Sequence, residues 1–202
     1  ENKYYVPMGF TYDSYIDEDS AEQLTEQTRE KLLMRSLILT KDQAEKYSDI
    51  ISKISNNDTI GLTDKTYFSD CMDRKSESCY EFDYDSDGFK AKITLENSKL
   101  VFFSVPYDDG WTAYVNGKPA DIEQVSYGFM AVKADSGENE IEFRYSTPGL
   151  KYGLFISAGG ITILVIYLLI CSKRKKKTCG FSHYYDYNSE PVSAQKNYER
   201  RF

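Results

Sequence analysis

The spacing of hydrophobic positions is close to helical in the first third of the chain. Ser20 and Gln23 have the spacing of a helix-capping box, and they precede a segment that predicts a helix over residues 21–39. The apolar residues of that segment are Leu24, Leu32, Leu33, Leu37 and Ile38. A second amphipathic segment covers residues 43–55. We therefore interpret residues 1–64 as an aromatic N-terminal segment followed by a helical region.

From residue 65 the pattern becomes that of short strands. Apolar and polar residues alternate over residues 80–84 and 89–95, and the Asn116-Gly117 pair is a strong hairpin signal. Further short apolar runs lie at residues 100–105, 112–115, 129–132 and 141–145. The pattern predicts an antiparallel β-sandwich or jelly roll over residues 65–147, so the fold class is α+β and mostly β.

A single uncharged segment then determines the broad class of the protein. Residues 152–171 are 20 residues without a charge, which is long enough for a helix to cross a bilayer. Five bases follow and are typical of a stop-transfer signal: Lys173, Arg174, Lys175, Lys176 and Lys177. The alternative, a buried helix of a soluble domain, fits this pattern poorly.

The sides of the membrane follow from the same bases. The positive-inside rule puts residues 172–202 in the cytoplasm and residues 1–151 outside the plasma membrane. We expect the basic, tyrosine-rich tail to be disordered. Residues 1–150 carry 29 acidic and 16 basic residues, a balance of −13, which excludes a nucleic-acid-binding role for this part.

This topology separates the four cysteines. Cys71 and Cys79 lie outside, whereas Cys171 lies at the inner boundary and Cys179 in the reducing interior. Only a Cys71–Cys79 disulfide is therefore compatible with the topology, and two unpaired thiols are the equally weighted alternative.

A group of aromatic and polar residues near the Asn116-Gly117 turn has the chemistry of a sugar-binding surface. Aromatic faces suit the C–H faces of sugar rings, and carboxylates and amides bond hydroxyls. The candidate residues are Tyr107, Asp108, Trp111, Tyr114 and Asn116, with Tyr127, Phe129 and Asp109 as further members. The structural alternative is that Trp111, the single tryptophan, fills the core of the sandwich.

Other motifs do not predict a catalytic or cofactor site. Asp83, Asp85, Asp87 and Gly88 match the start of a calcium loop, but Thr94 replaces the final glutamate, so a plain acidic hairpin is the better interpretation. His183, the single histidine, has no partner for nucleophilic catalysis. We expect neither a metal nor a cofactor in these 202 residues.

Three segments in order resemble the bacterial membrane protein YfhO family. They are residues 9–15 (GFTYDSY), residues 105–111 (VPYDDGW) with 114–118 (YVNGK), and residues 143–153 (FRYSTPGLKYG). The resemblance covers roughly residues 4–171. It implies a polytopic enzyme that glycosylates cell-envelope polymers, of the lipoteichoic-acid type, from a lipid-linked sugar.

Under this resemblance the chain is the C-terminal external domain and last span of a longer protein. Its partners are then the membrane, the upstream spans and a polymer acceptor, and no catalytic residue can be transferred to it. The alternative function is a non-enzymatic, single-pass surface protein whose sandwich binds carbohydrate or protein. The reading frame upstream of Glu1 separates the two hypotheses.

Overall fold

The computed structural model describes residues 5–59 and 62–178. The chain divides into two compact units, Glu1–Leu150 and Lys151–Phe202. The elements of the first unit are β1 Gly9–Thr11, β2 Ser14–Asp17, α1 Glu18–Glu22, α2 Glu26–Leu32, β3 Leu37–Leu39, α3 Lys41–Lys46, β4 Ser52–Lys53, a 3-10 turn Asn56–Thr59, α4 Asp64–Ser76, β5 Glu81–Tyr84, β6 Gly88–Leu95, β7 Lys99–Pro106, β8 Trp111–Val115, β9 Lys118–Ala120, β10 Glu123–Val125, β11 Phe129–Ala134 and β12 Gly137–Tyr145. Helix α5, Leu150–Thr178, follows.

Two antiparallel sheets form the sandwich that the alternating pattern predicted. One has the order β1-β7-β11-β10 and the other the order β5-β6-β12-β8-β9. Their facing side chains build the main core, which includes Phe89, Phe103, Met130, Ile141 and Phe143. The fold class is thereby confirmed, since antiparallel strands dominate the first unit and a long apolar helix ends the described chain.

Strand β7 explains why the chain has one run of apolar residues that does not alternate. Leu100, Val101, Phe102 and Phe103 are all buried. Val101 and Phe103 face the main core, whereas Leu100 and Phe102 belong to a second core on the other face of the four-stranded sheet. A strand covered on both faces loses its polar positions, so β7 is the shared wall of two cores.

The second core is closed by a small parallel sheet with the order β3-β2-β4. Strand β3, made of Leu37, Ile38 and Leu39, pairs in parallel with β2. The helix predicted over residues 21–39 was therefore wrong. Periodicity cannot distinguish a short buried strand from a helical segment, and Thr25 starts a separate helix by capping the N–H of Thr28.

The N-terminal half differs from the sequence-based interpretation in two more ways. Ser20 lies inside α1 and donates to Asp17, so it is not an N-cap. The segment over residues 43–55 is helical only as far as Lys46 and then contributes β4. Strand β1 pairs with β7, so this half also supplies an edge of the sandwich.

Helix α4 was not predicted, because its buried side chains are largely polar. Arg74 is buried, donates to the carbonyl of Thr11 and stacks on the ring of Tyr12. Burial is the largest influence on the pKa of Tyr12 and raises it far above its usual value. Lys99 donates to Asp13 and Glu77, 2.6 and 3.1 Å away, which joins β7 to the end of this helix.

Helix α5 is the single helix of the described residues that is long and apolar enough to cross a membrane. The candidate span is Leu150–Lys173, 24 residues with a mean hydropathy of 2.5. None of the residues in its most apolar stretch is buried, as a lipid-facing helix requires. Among the five bases, Lys173 is exposed, while the side chains of Arg174, Lys175, Lys176 and Lys177 lie outside the described residues. Cys179, His183 and the tail after Thr178 also lie outside them.

Candidate functional site

Hydrogen bonds within the turn from Tyr107 to Trp111, and one to the neighbouring Gly128, hold its conformation. Asp108 accepts from the N–H of Gly110 through Oδ1, at 2.8 Å, and from the N–H of Trp111 through its carbonyl, at 3.1 Å. The N–H of Tyr107 donates to the carbonyl of Gly128, at 2.7 Å. Asp108 is exposed, and one of its carboxylate oxygens already accepts a hydrogen bond within the turn.

The indole of Trp111 packs on the side of β8 that faces the core. Its ring centroid is 5.8 Å from that of Phe89, 6.2 Å from Phe143 and 5.0 Å from Tyr145. The residue is half-buried. The structural alternative for Trp111 therefore agrees with its position at the rim of the main core.

Tyr114 and Asn116 do not share a surface with Trp111. Tyr114 lies three positions after Trp111 on the same strand, so it points to the opposite face, where it pairs with Glu142. The amide of Asn116 donates to Asn139 at 3.0 Å and accepts from the N–H of Glu140 at 2.9 Å. The five predicted sugar-binding residues therefore do not form one platform, and their binding of sugar stays a prediction.

The acidic segment that resembled a calcium loop forms the turn between β5 and β6. The N–H of Asp87 donates to Asp85 Oδ1 at 2.8 Å, and the N–H of Asp85 donates to the carbonyl of Gly88 at 3.0 Å. An open cleft of about 350 Å³ lies beside this hairpin, with Tyr84 and Arg144 at its walls. Within residues 5–59 and 62–178 no group of acidic, histidine or cysteine side chains is arranged to hold a metal ion.

Cys71 and Cys79 are both buried and both free in the structure. Burial raises the pKa of the Cys79 thiol to about 12, so this thiol is protonated and unreactive at neutral pH. The Cys79 N–H donates to the carbonyl of Gly9, which fixes the residue against β1. The structure thus buries both thiols, places Cys79 in the main core and shows no bridge between them.

A second loop, which the sequence did not single out as a turn, has an unusual backbone. Ser126, Tyr127 and Gly128 connect β10 to β11 with φ angles of +47°, +67° and +137°. The N–H of Gly128 bonds the carbonyl of Val125, so Ser126 and Tyr127 are the central residues of a turn with positive φ at both. Such turns favour Asn and Gly, and other residues lose roughly 1–2 kcal/mol each in this region.

Tertiary hydrogen bonds hold this loop in its conformation. Ser126 is buried; its N–H donates to the carbonyl of Ile38 at 3.0 Å, and its Oγ accepts from the N–H of Ile38 at 3.2 Å. Tyr127 is 46% exposed, with the Arg29 guanidinium carbon 5.9 Å from its ring centroid. A buried serine therefore anchors the loop, and an exposed tyrosine occupies its strained position.

The loop borders a cleft of about 280 Å³ that we call the Tyr127 cleft. Its polar walls are Glu18, Thr40, Gln43, Gln124, Ser126 and Tyr127. The sequence offered one signal for it, the Tyr127-Gly128 pair just before the apolar strand β11, but the partner segment is distant in sequence.

Hydrogen bonds to the Glu123 carboxylate hold one wall of the Tyr127 cleft in place. Glu123 accepts from Gln43 Nε2, Lys46 Nζ and Tyr47 OH at 3.0, 2.7 and 2.7 Å. Partial burial alone would raise the pKa of Glu123, but these three donors together lower it. Burial and the bond to Glu123 raise the pKa of Tyr47 to about 12. The network joins α3 to β10 and so positions Gln43 and Gln124.

Comparison with known proteins places this fold in a family. A sequence profile described as "Bacterial membrane protein YfhO" matches residues 53–157, which run from β4 through the sandwich into α5. "Uncharacterized protein YfhO" of Bacillus subtilis (strain 168) is 30% identical over 105 residues. Those residues are 52% of this chain and 12% of that relative, so the chain matches only a small part of it. No solved structure matches the chain significantly. Because the profile covers half of its length, the chain belongs to the YfhO family of bacterial membrane proteins.

Proposed function

We propose that this chain is the extracytoplasmic domain and last span of a polytopic membrane protein that glycosylates cell-envelope polymers. The sugar comes from a lipid-linked donor, the acceptor is a polymer of the lipoteichoic-acid type, and the folded first unit positions that acceptor. The family match carries the proposal, because it runs without a break from the sandwich into the apolar helix.

The proposed sides of the membrane rest on charge. The candidate span ends at Lys173, the first of a cluster of five bases, whereas the first unit is acidic. Bases are retained on the cytoplasmic side of membranes, so we assign residues 172–202 to the cytoplasm and residues 1–151 to the outside. The first unit then meets envelope polymers, and the basic cluster does not.

The transfer chemistry belongs elsewhere in the full-length protein. Glycosyl transfer needs a base beside the acceptor hydroxyl and a site for the lipid phosphate of the donor. The described residues contain one candidate span, and one helix cannot enclose a polyprenyl phosphate. We therefore assign acceptor positioning and support of the helix bundle to this chain, and no catalytic group.

The test is replacement of the first unit in the full-length protein. Because β1 pairs with β7, the whole of residues 5–146 must be replaced by a flexible linker rather than the sandwich alone. Cells lacking the gene receive the wild-type or the linker version, and the sugar content of the extracted polymer is measured by NMR spectroscopy. We expect wild-type glycosylation in the first case and loss of most of it in the second.

Membrane fractions must contain both versions in equal amount, which an epitope tag measures. Full glycosylation with the linker version would show that the first unit is dispensable. Sugar transfer by the purified 202-residue chain alone would show that the catalytic groups are not upstream.

A further inference from the structure

We propose that the Tyr127 cleft binds a single neutral sugar ring, with Tyr127 stacking on the ring and Glu18 and Gln124 bonding its hydroxyls. This deepens the proposed function, since the ring would belong to the acceptor polymer. All the residues that would bind the ring belong to the first unit.

The backbone at Tyr127 is strained. A tyrosine with φ of +67° is less stable than a glycine in the same place. Its ring is 46% exposed, and the contact recorded for it is the Arg29 guanidinium, 5.9 Å from the ring centroid. Strain of this kind persists where surrounding contacts impose it, and it concentrates at binding sites. Here the contacts of Ser126 with Ile38 impose it. The strained backbone projects an aromatic ring towards solvent at the border of a cleft.

Three polar side chains of the Tyr127 cleft are available to bind a ligand. Within the described residues, no hydrogen bond or ion pair engages the Glu18 carboxylate, the Gln124 amide or the Tyr127 hydroxyl. By contrast, Gln43 donates to Glu123 and to the carbonyl of Gln124. The free groups are planar donors and acceptors that can bond neighbouring hydroxyls in pairs.

The size and charge of the Tyr127 cleft also favour a single neutral ring. The volume of the Tyr127 cleft is about 280 Å³, just below the roughly 300 Å³ at which small-molecule sites begin, so the cleft suits one ring rather than a larger ligand. One carboxylate is the single charged group among its lining residues, so the cleft suits an uncharged ligand with many hydroxyls. Ile38, Leu39 and Val125 border the cleft but are at most 2% exposed, so the Tyr127 ring is the apolar surface that the cleft offers to a ligand. A sugar ring meets all of these conditions.

The experiment uses the 202-residue chain in detergent and neutral methyl glycosides of glucose, galactose and N-acetylglucosamine. Saturation-transfer NMR measures binding, and thermal unfolding is followed in parallel. We expect Tyr127→Gly to weaken binding of the preferred glycoside about tenfold, because the stacking surface is lost. The same variant should melt about 2 °C higher, because glycine relieves the backbone strain.

Two controls isolate the ring and its position. Tyr127→Phe keeps the stacking surface and should retain most of the binding. Tyr84→Ala removes another tyrosine, 79% exposed on β5 and outside the Tyr127 cleft, and should leave binding unchanged.

Three outcomes would overturn the proposal: no binding of any glycoside by the wild-type chain, unchanged binding by Tyr127→Gly, or a lower melting temperature for Tyr127→Gly. The last result would mean that the tyrosine is kept for stability. If Tyr127→Gly loses glycoside binding while the full-length protein carrying it still glycosylates polymer normally, the cleft stands and its assignment to the acceptor falls.

Discussion

The two hairpin turns on either side of β9 and β10 have similar backbones and very different sequences. Asn116 and Gly117 have φ angles of +53° and +74°, and Ser126 and Tyr127 have +47° and +67°. The first turn uses the two residues that favour this geometry, and its position was predicted from them. The second uses residues that oppose it. Local preference determines the first turn, and contacts with β3 determine the second.

The difference also separates a structural role from a proposed binding role. The Asn116 side chain is occupied by Asn139 and Glu140, so this turn offers no free amide to a ligand. Tyr127 and Gln124 have free polar groups at the edge of a cleft. A turn whose residues oppose its backbone geometry, and whose exposed side chains have free polar groups, is therefore a better guide to a site than a turn that follows local preference.

The largest loss of stability should come from removing the hydrogen bond between Ser126 and Ile38 that anchors the second turn. Ser126→Ala removes the acceptor of the buried Ile38 N–H, and an unsatisfied buried donor costs about 2 kcal/mol. We expect the free energy of unfolding to fall by about that amount, measured by chemical denaturation with Trp111 fluorescence as the probe.

Ser136→Ala is the matched control, because Ser136 is exposed and its hydroxyl has no partner within the described residues. It should leave stability unchanged. A loss below about 0.5 kcal/mol for Ser126→Ala would mean that tertiary anchoring does not determine the second turn.

A smaller loss of stability should follow when the first turn receives a tyrosine at Gly117, the position that Tyr127 occupies in the second turn. A Cβ atom at Gly117 would meet no atom within 4 Å, so the main cost of Gly117→Tyr should come from the backbone. We expect a loss of about 1 kcal/mol in the free energy of unfolding, from the positive φ. Lys118→Tyr places the same ring on a neighbouring exposed residue of β9 without positive φ. Equal losses in the two variants would contradict the backbone explanation.

The smallest effect on stability should come from Glu123, whose contribution depends on pH. The folded-state pKa of Glu123 lies below its ordinary value of 4.5, because three donors outweigh the effect of burial. Its stabilising contribution is therefore complete above the ordinary value and is lost as pH falls through the lower, folded value.

The pKa values of Asp13 and Asp17 are also lowered, so acid weakens more than one contact. The comparison of wild type with Glu123→Gln isolates one group. The stability difference between the two should be larger at pH 7 than at pH 3, measured by thermal unfolding. A difference that does not change with pH would show that the charge of Glu123 has no stabilising role.

The strands of the sandwich were predictable because their burial is one-sided and local. Strand β6 alternates buried and exposed positions along its length, and the Asn116-Gly117 turn follows backbone preference. Strand β3 was taken for the end of a helix, because burial on both faces removes the alternation that marks a strand. Helix α4 was missed because Asp70 and Arg74 are among its buried residues.

The candidate site was predictable only in its chemistry. Tyr127 was among the aromatic residues considered for sugar binding, but the platform that included Trp111 and Tyr114 ignored the alternation of faces along β8. The anchor between Ser126 and Ile38 joins residues 88 positions apart. No local pattern contains that contact, so the strain at Tyr127 becomes visible only in the folded chain.

The position of β12 links the timing of folding to the synthesis of the membrane helix. This strand is the last of its sheet to leave the ribosome, yet it lies in the middle, between β6 and β8. Until Tyr145 has been added, β6 and β8 have unpaired edges that favour aggregation. The apolar helix begins only five residues later, at Leu150. The larger sheet can therefore close only once β12 is available, which is nearly as late in the chain as the apolar helix itself.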